Sequence, residues 1–184
     1  MGIILTMTYR RELIRSMKLL AKNPKTIFLG QSISYPGNSM YHTLVGISEK
    51  KKIELPVFEE VQMGMAIGLA MEGYLPVTCY PRFDFLILAM NQLINHLDKI
   101  RMMSRNEMKL KVIIRTSVAA KTPLDGGPQH TQDYTNAIKL MCKEIKIIKL
   151  KKAKDIFPVY KKIVSDRNNF SYLLIEDGDK FNRK

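Results

Sequence analysis

The sequence contains no tryptophan, only two cysteines and only three histidines among its 184 residues. Cys79 and Cys142 share no metal-ligand spacing. That excludes a disulfide framework and leaves two reduced, buried thiols in a cytoplasmic protein as the reading. His42, His96 and His130 have no Asp or Glu at a spacing that builds a metal triad. No apolar run reaches the roughly 18 residues that a membrane-spanning helix needs. Residues 1–7 are apolar but lack a basic region and a small-residue cleavage site, so they read as a terminus and not as a signal peptide. Also missing are a phosphate-binding glycine fingerprint after a strand and a Gly-x-Ser-x-Gly elbow.

Acidic residues are scarce. Seventeen Asp and Glu face thirty Lys and Arg, which gives a formal net charge of +13 and a pI near 9.7. The basic residues, mostly Lys, spread over residues 50–52, 109–111, 143–154 and 161–162 with few aromatics between them. Solvated helix faces and strand ends account for that distribution first. Attraction to an acidic partner protein comes next, and nucleic acid last. The expectation is no nucleic acid and no membrane among the partners.

What is present suits one globular domain: 46% of residues are hydrophobic and charge is interspersed. The chain divides into an N-terminal extension (1–8), a domain (9–177) and a basic tail (178–184). Helical periodicity marks residues 9–22, with Leu13, Met17 and Leu20 on one face and Asn23-Pro24 as the stop. Short apolar runs predict strands at 26–30, 55–58, 75–80, 110–115, 145–150 and 172–175. Helices are predicted at 61–71, closed by Gly73 at the C-cap, at 83–103 as one long helix, at 134–143 and at 154–164. Strands alternating with helices predict an α/β fold of three layers, a mostly parallel sheet with helices on both faces. Ligands of such sheets bind beyond the carboxyl ends of the strands. Residues 117–131 form a loop long enough to carry function.

Three segments at strand ends hold candidate chemistry. Glu59, before a helix of small residues, serves either as a dipole-favoured helix start or as a functional carboxylate. Its neighbour Glu60 points elsewhere. In Tyr80-Pro81-Arg82-Phe83-Asp84-Phe85, the rings of Phe83 and Phe85 either stack on a flat heterocycle or fill the core. His130, in Gly126-Gly127-Pro128-Gln129-His130-Thr131-Gln132, is either an exposed loop histidine or an acid, base or charge stabiliser near neutral pH.

These pieces together resemble a known family. Pro56-Val57-Phe58-Glu59-Glu60 through Gly64, Ala66, Gly68 and Ala70 resembles the P-I-x-E-x-x-x-x-G-x-A-x-G-x-A segment of the transketolase-like pyrimidine-binding domain. The beta subunit of the pyruvate dehydrogenase decarboxylase component is the nearest branch. Gly73-Tyr74-Leu75-Pro76-Val77 resembles G-x-R-P-V. Phe83-Asp84-Phe85 with Asn91-Gln92-Leu93-Ile94-Asn95 resembles F-x-F and D-Q-I-x-N, Met102-Met103-Ser104 resembles Y-M-S, and the run from Gly126 to Gln132 resembles G-G-P-Q-H-S-Q. Five motifs fall in the family's order across residues 8–177.

The resemblance implies thiamine diphosphate as cofactor. It implies that Glu59 hydrogen-bonds the aminopyrimidine ring, a task for a carboxyl shielded from water that shares a proton with a ring nitrogen. Phe85 would stack on that ring, Phe83 would stand nearby as a wall, and His130 would steady charge in the substrate adduct. Gln31 occupies the pocket position where the family usually has an acid. No G-D-G…N motif for the diphosphate and Mg2+ is found, and the beta subunit's C-terminal domain has no counterpart in the sequence. The expectation is therefore a separately encoded, alpha-like, diphosphate-binding partner that holds most of the Mg2+, in a heterotetramer of two of each. The enzyme would make or break a carbon–carbon bond beside a carbonyl, as a two-carbon transferase or carboligase on a 2-oxo acid such as pyruvate or on a ketose. The alternative is a non-catalytic binding or regulatory module that retains the fold.

Overall fold

The computed structural model describes residues 7–122 and 125–181. Most of the apolar start and part of the predicted 117–131 loop lie outside the described residues. Six strands form one sheet in the order β2-β1-β3-β4-β6-β5, and every pairing is parallel. In chain order the elements are α1 (Tyr9–Ala21), β1 (Thr26–Gly30), β2 (Lys52–Glu54), α2 (Glu59–Met71), β3 (Leu75–Tyr80), α3 (Phe83–Leu86), α4 (Ile100–Met103), β4 (Ile113–Val118), α5 (Thr135–Met141), β5 (Lys146–Lys149), α6 (Ala153–Ser165), β6 (Tyr172–Asp177) and α7 (Gly178–Phe181). Among the described residues no helix is long and apolar enough to cross a membrane.

The strands are buried on both faces, so their side chains feed two cores. Phe28, Val77, Cys79, Ile113, Tyr172 and Leu174 point to one side and meet α1 and α6. Their neighbours Leu29, Tyr80, Ile114, Leu173 and Ile175 point to the other and meet α2, α5 and the chain from Phe83 to Leu97. Strand alternation turns one continuous apolar run into two faces. The sheet with helices on both faces is therefore as expected, and wholly parallel. Gly73, at φ +76, ends α2 in the left-handed region that glycine tolerates. At the far end of the chain, Phe181 is buried and packs on Tyr9, ring centroids 6.0 Å apart.

Two predicted elements differ in kind. The run Leu55-Pro56-Val57-Phe58 is not a strand. The strand there is β2, which pairs with β1 only as far as Glu54 opposite Gly30. Pro56 has no amide to add to a ladder, and Val57 and Phe58 stand 67% and 58% exposed. The long helix expected at 83–103 is instead broken into α3, a 3-10 turn at Ile87–Ala89, a π-helical stretch at Asn91–Leu97, and α4. Periodicity alone cannot distinguish these windings.

A buried ion pair crosses the first core. The Arg115 Nε and Nη2 donate to Glu176 at 2.7 and 3.1 Å, and Nη2 also donates to Thr43 at 3.0 Å. Burial works against the Arg115 charge, but the Glu176 carboxylate outweighs it and holds the guanidinium above its ordinary pKa. Burial also pushes the Cys79 thiol up to about 11 and the Cys142 thiol up to about 12, which keeps both as uncharged core groups.

Candidate functional site

Because the strands are parallel, the chain leaves β1, β3 and β4 on the same edge of the sheet. Glu59 opens α2 at that edge and is only 6% exposed. Two contacts fix it. The Tyr80 hydroxyl, at the end of β3, donates to the Glu59 carbonyl at 3.2 Å. One turn on, the buried Gln62 amide donates to Thr78 Oγ1 at 2.8 Å and to the Cys79 carbonyl at 3.0 Å. The Glu59 carboxylate itself has no hydrogen-bond donor among the described residues, from its own helix or elsewhere. Glu60 is exposed and reaches Asn91 and Gln92 at 3.4 and 3.5 Å. The two acids thus have different surroundings: one is withdrawn with no donor to its carboxylate among the described residues, and the other is a surface bridge.

The aromatic pair also divides. Phe83 takes the core alternative: it is fully buried, with its ring 5.7 Å from that of Tyr134 at 89°. Phe85 is half-buried and meets the His130 ring edge to face, centroids 5.5 Å apart. The loop after β4 folds on itself to present that histidine. Asp125 accepts the Gly127 amide at 2.8 Å, the Thr131 hydroxyl donates to the Gly127 carbonyl at 3.1 Å, and the Gln132 amide reaches Asp84 Oδ1 at 3.4 Å. His130 Nδ1 lies 2.9 Å from the Gly126 carbonyl. A carbonyl only accepts, so Nδ1 donates in this contact, and a neutral His130 keeps its lone pair on Nε2.

Gln31 follows β1 and is half-buried, with its carbonyl accepting the Asn38 amide at 3.1 Å. The acid of this corner comes from β2. Glu54 accepts the amides of Ser32, Ile33 and Ser34 at 2.5, 2.8 and 3.0 Å. Sequence reasoning gave no role to Glu54, Arg82 or Asp84. The Arg82 guanidinium lies beside Gly126, and the buried Asp84 Oδ2 has no hydrogen-bond partner. The one signal for Arg82 and Asp84 was their position, inside the aromatic segment that ends β3. Among the described residues no group of three or more His, Cys, Asp or Glu could hold a metal ion.

The strand-end edge thus holds a withdrawn carboxyl without a donor, an aromatic ring braced by an imidazole, and an orphaned carboxylate oxygen.

Comparison with known proteins bears on the family and the fold. A family model described as "Transketolase, pyrimidine binding domain" matches residues 9–178. The pyruvate dehydrogenase E1 component subunit beta of Chaetosphaeridium globosum is 29% identical over 117 residues, 61% of this chain and 35% of that protein. Its mitochondrial counterpart from Caenorhabditis elegans is 27% identical over 174 residues, 91% of this chain and 48% of that protein. The chain thus spans less than half the length of either curated relative. Among solved structures, "Split gene transketolase, inactive beta4 tetramer" superposes with a TM-score of 0.70 at 17% identity, over 92% of this chain and 51% of that one. A transketolase from Campylobacter jejuni gives 0.69 at 14% identity, over 90% and 25%. At those identities the likeness shows the fold.

Proposed function

Because the chain belongs to the transketolase pyrimidine-binding domain family, we propose that it supplies the pyrimidine-holding half of a thiamine diphosphate-dependent enzyme. When bound, the cofactor supplies the electron sink for making or breaking a carbon–carbon bond beside a carbonyl. The observation that carries this reading is Glu59: a buried carboxyl at the strand-end edge with no donor among the described residues. Such a group holds or shares a proton with a ring nitrogen, and exclusion of water strengthens that bond. Phe85 offers its ring to the heterocycle, and Phe83 stands behind it in the core. Gln31 lines the polar corner without a charge of its own. His130, with Nδ1 tied to Gly126, turns Nε2 toward the reacting substrate, where it takes or gives a proton or steadies charge.

The diphosphate and Mg2+ belong on this reading to a separately encoded partner, in an assembly of two of each. Two observations support the partner. Val57, Phe58 and Val61 expose apolar side chains close to Glu59 in the chain, a rim that a partner could cover. One neighbour in fold is a split-gene transketolase whose beta chains form a tetramer. The names of the curated relatives favour a 2-oxo acid such as pyruvate as donor, and a ketose is the alternative. Gln31, where the family usually has an acid, favours as second reading a non-catalytic module with the same fold.

The test uses the chain assembled with its diphosphate-binding partner. Thiamine diphosphate with Mg2+ should bind, and Glu59→Gln should lower turnover by roughly 100-fold or more while assembly stays intact. Full turnover in that variant sinks the assignment of Glu59. Absence of turnover in every assembly, with cofactor binding retained, favours the module.

A further inference from the structure

The sheet has a second edge, where β1, β3 and β4 begin, opposite the one that carries Glu59. A cleft of about 580 Å³ opens there, a size that suits a small ligand. Leu20, Leu75, Ile113 and Ile163 give it an apolar floor, and Tyr74, 44% exposed, stands beside them. Four lysines line the same cleft: Lys22 after α1, Lys25 before β1, and Lys109 and Lys111 before β4. Lysines at such a place can serve the carbonyls of helix ends. Here Lys111 does so, donating to the Ile163 and Asp166 carbonyls at 3.2 and 2.5 Å. Lys51 serves the carbonyls of Asn23, Pro24 and Thr26 at 2.8, 3.1 and 3.4 Å. The ammonium groups of Lys22, Lys25 and Lys109 have no partner among the described residues. Lys25 Nζ lies 3.5 Å from the point where a Gly73 Cβ would sit, next to Tyr74 in the chain. Asp166, the acid of the lining, is already engaged. Its carboxylate accepts the amides of Asn168 and Phe170 at 2.9 and 3.1 Å and the Tyr172 hydroxyl at 3.0 Å.

We propose that this cleft binds a nucleotide-like organic phosphate, its phosphates on the lysines and its flat part on the apolar floor beside Tyr74. An ammonium is a compact point charge with rotatable donors, which suits phosphate oxygens; a carboxylate is matched better by the fork of an arginine, and the lining has none. A bare inorganic ion would use the lysines and leave the floor wet. A neutral ring would use the floor and leave the lysines unanswered. Like charges gathered round one cleft repel, and a bound phosphate offsets that repulsion. Part of the +13 excess thus has a place to act. The ligand leaves the Glu59 edge free, because the two edges lie at opposite ends of the same strands.

The test is a titration of the full chain with ADP, pyrophosphate and adenosine, in magnesium-free buffer of fixed ionic strength. Calorimetry gives the affinity, and the NMR signals of Gly73 and Tyr74 locate the ligand. ADP should bind saturably with shifts at both residues, roughly tenfold more tightly than pyrophosphate, and adenosine should not saturate. Lys25→Gln combined with Lys109→Gln should weaken ADP by roughly tenfold or more. Lys161→Gln combined with Lys162→Gln removes the same charge from the exposed side of α6 and should leave the affinity within about twofold. Thermal midpoints of both pairs should match the parent, since all four lysines are exposed. The proposal is overturned when ADP gives no saturable shift at Gly73 and Tyr74, or when pyrophosphate binds as tightly as ADP. Equal weakening of ADP by the two lysine pairs overturns it as well. Glu59→Gln should leave this titration unaltered, so failure here and failure of the cofactor reading are separate results.

Discussion

His130 stands edge-on to Phe85, with ring planes at 90° and centroids 5.5 Å apart. One residue comes from the loop after β4 and the other from the helical turn after β3, so the contact joins two neighbouring strand ends. Each ring limits the other's rotation before any ligand arrives.

Removing the ring at position 85 tests that brace. Phe85→Leu keeps apolar bulk but loses the edge-to-face contact, a loss of about 1 kcal/mol. The expected result is roughly fivefold weaker cofactor binding by calorimetry, with broader or shifted His130 ring signals. Unchanged affinity and unchanged His130 signals would place Phe85 outside the pocket.

Gly126 is glycine because two side chains cross over it. A Cβ there would lie 2.9 Å from the His130 Cβ and 3.1 Å from Arg82 Nη1. Gly126→Ala should displace both and lower turnover of the assembled enzyme by about 100-fold, the effect of misplacing a group by roughly 1 Å. Its thermal midpoint should barely move, since the residue is exposed. Parent-like rates in this variant would mean that the loop adjusts freely.

Asp98 governs acid stability on the far side of the second core. It is fully buried, and its carboxylate accepts the amides of Lys143, Glu144 and Ile145 and the Lys99 ammonium at 2.6 Å. Burial pushes its carboxyl up, but Lys99 and the three amides outweigh burial and leave it below the ordinary carboxylate value. A carboxyl depressed in the folded state contributes stability above its unfolded pKa of about 4, and that contribution is lost as pH falls from there through the folded value. Asp98→Asn should cost about 2 kcal/mol at pH 7, and the gap to the parent should narrow as pH falls below about 4. Urea melts at a series of pH values measure it. A gap that stays constant would remove Asp98 as the source.

The buried pair Arg115–Glu176 predicts an asymmetry. Glu176→Gln strands a guanidinium in the core and should destabilise by roughly 3–5 kcal/mol. Arg115→Met combined with Glu176→Leu removes both charges and should cost clearly less. Denaturant unfolding of the three proteins gives the comparison. Equal losses would show that the ion pair is not what the core depends on.

That same pair marks where the sequence stopped being legible. The apolar run ending at Arg115 predicted a strand at 110–115, whereas β4 runs from Ile113 to Val118. Arg115, Thr116 and Ser117 in its middle are all buried. A buried arginine reads as a strand end unless its partner is known, and Glu176 lies on another strand 61 residues away. By contrast β1 and β3 were legible to the residue, since buried parallel strands are plain apolar runs closed by Gly30 or by the turn at Pro81. Of the candidate site, Glu59, Phe85 and His130 emerged from the order of motifs. Arg82 did not, because nothing along the chain tells a solvated arginine from one held beside a histidine. Glu54 did not either, because its three amide contacts depend on how the loop after β1 closes.

The order of the strands has one more consequence. Both margins of the sheet are short: β2 has three residues, and β5 has four, with Lys146 and Lys149 at its ends. A foreign strand that tried to extend the sheet would find little ladder to join, and at one margin it would have to bury ammonium groups. The protein is thus guarded against growing sideways into fibres while it displays greasy side chains around Glu59. Recognition through shape is left open, and recognition through bare backbone is nearly closed.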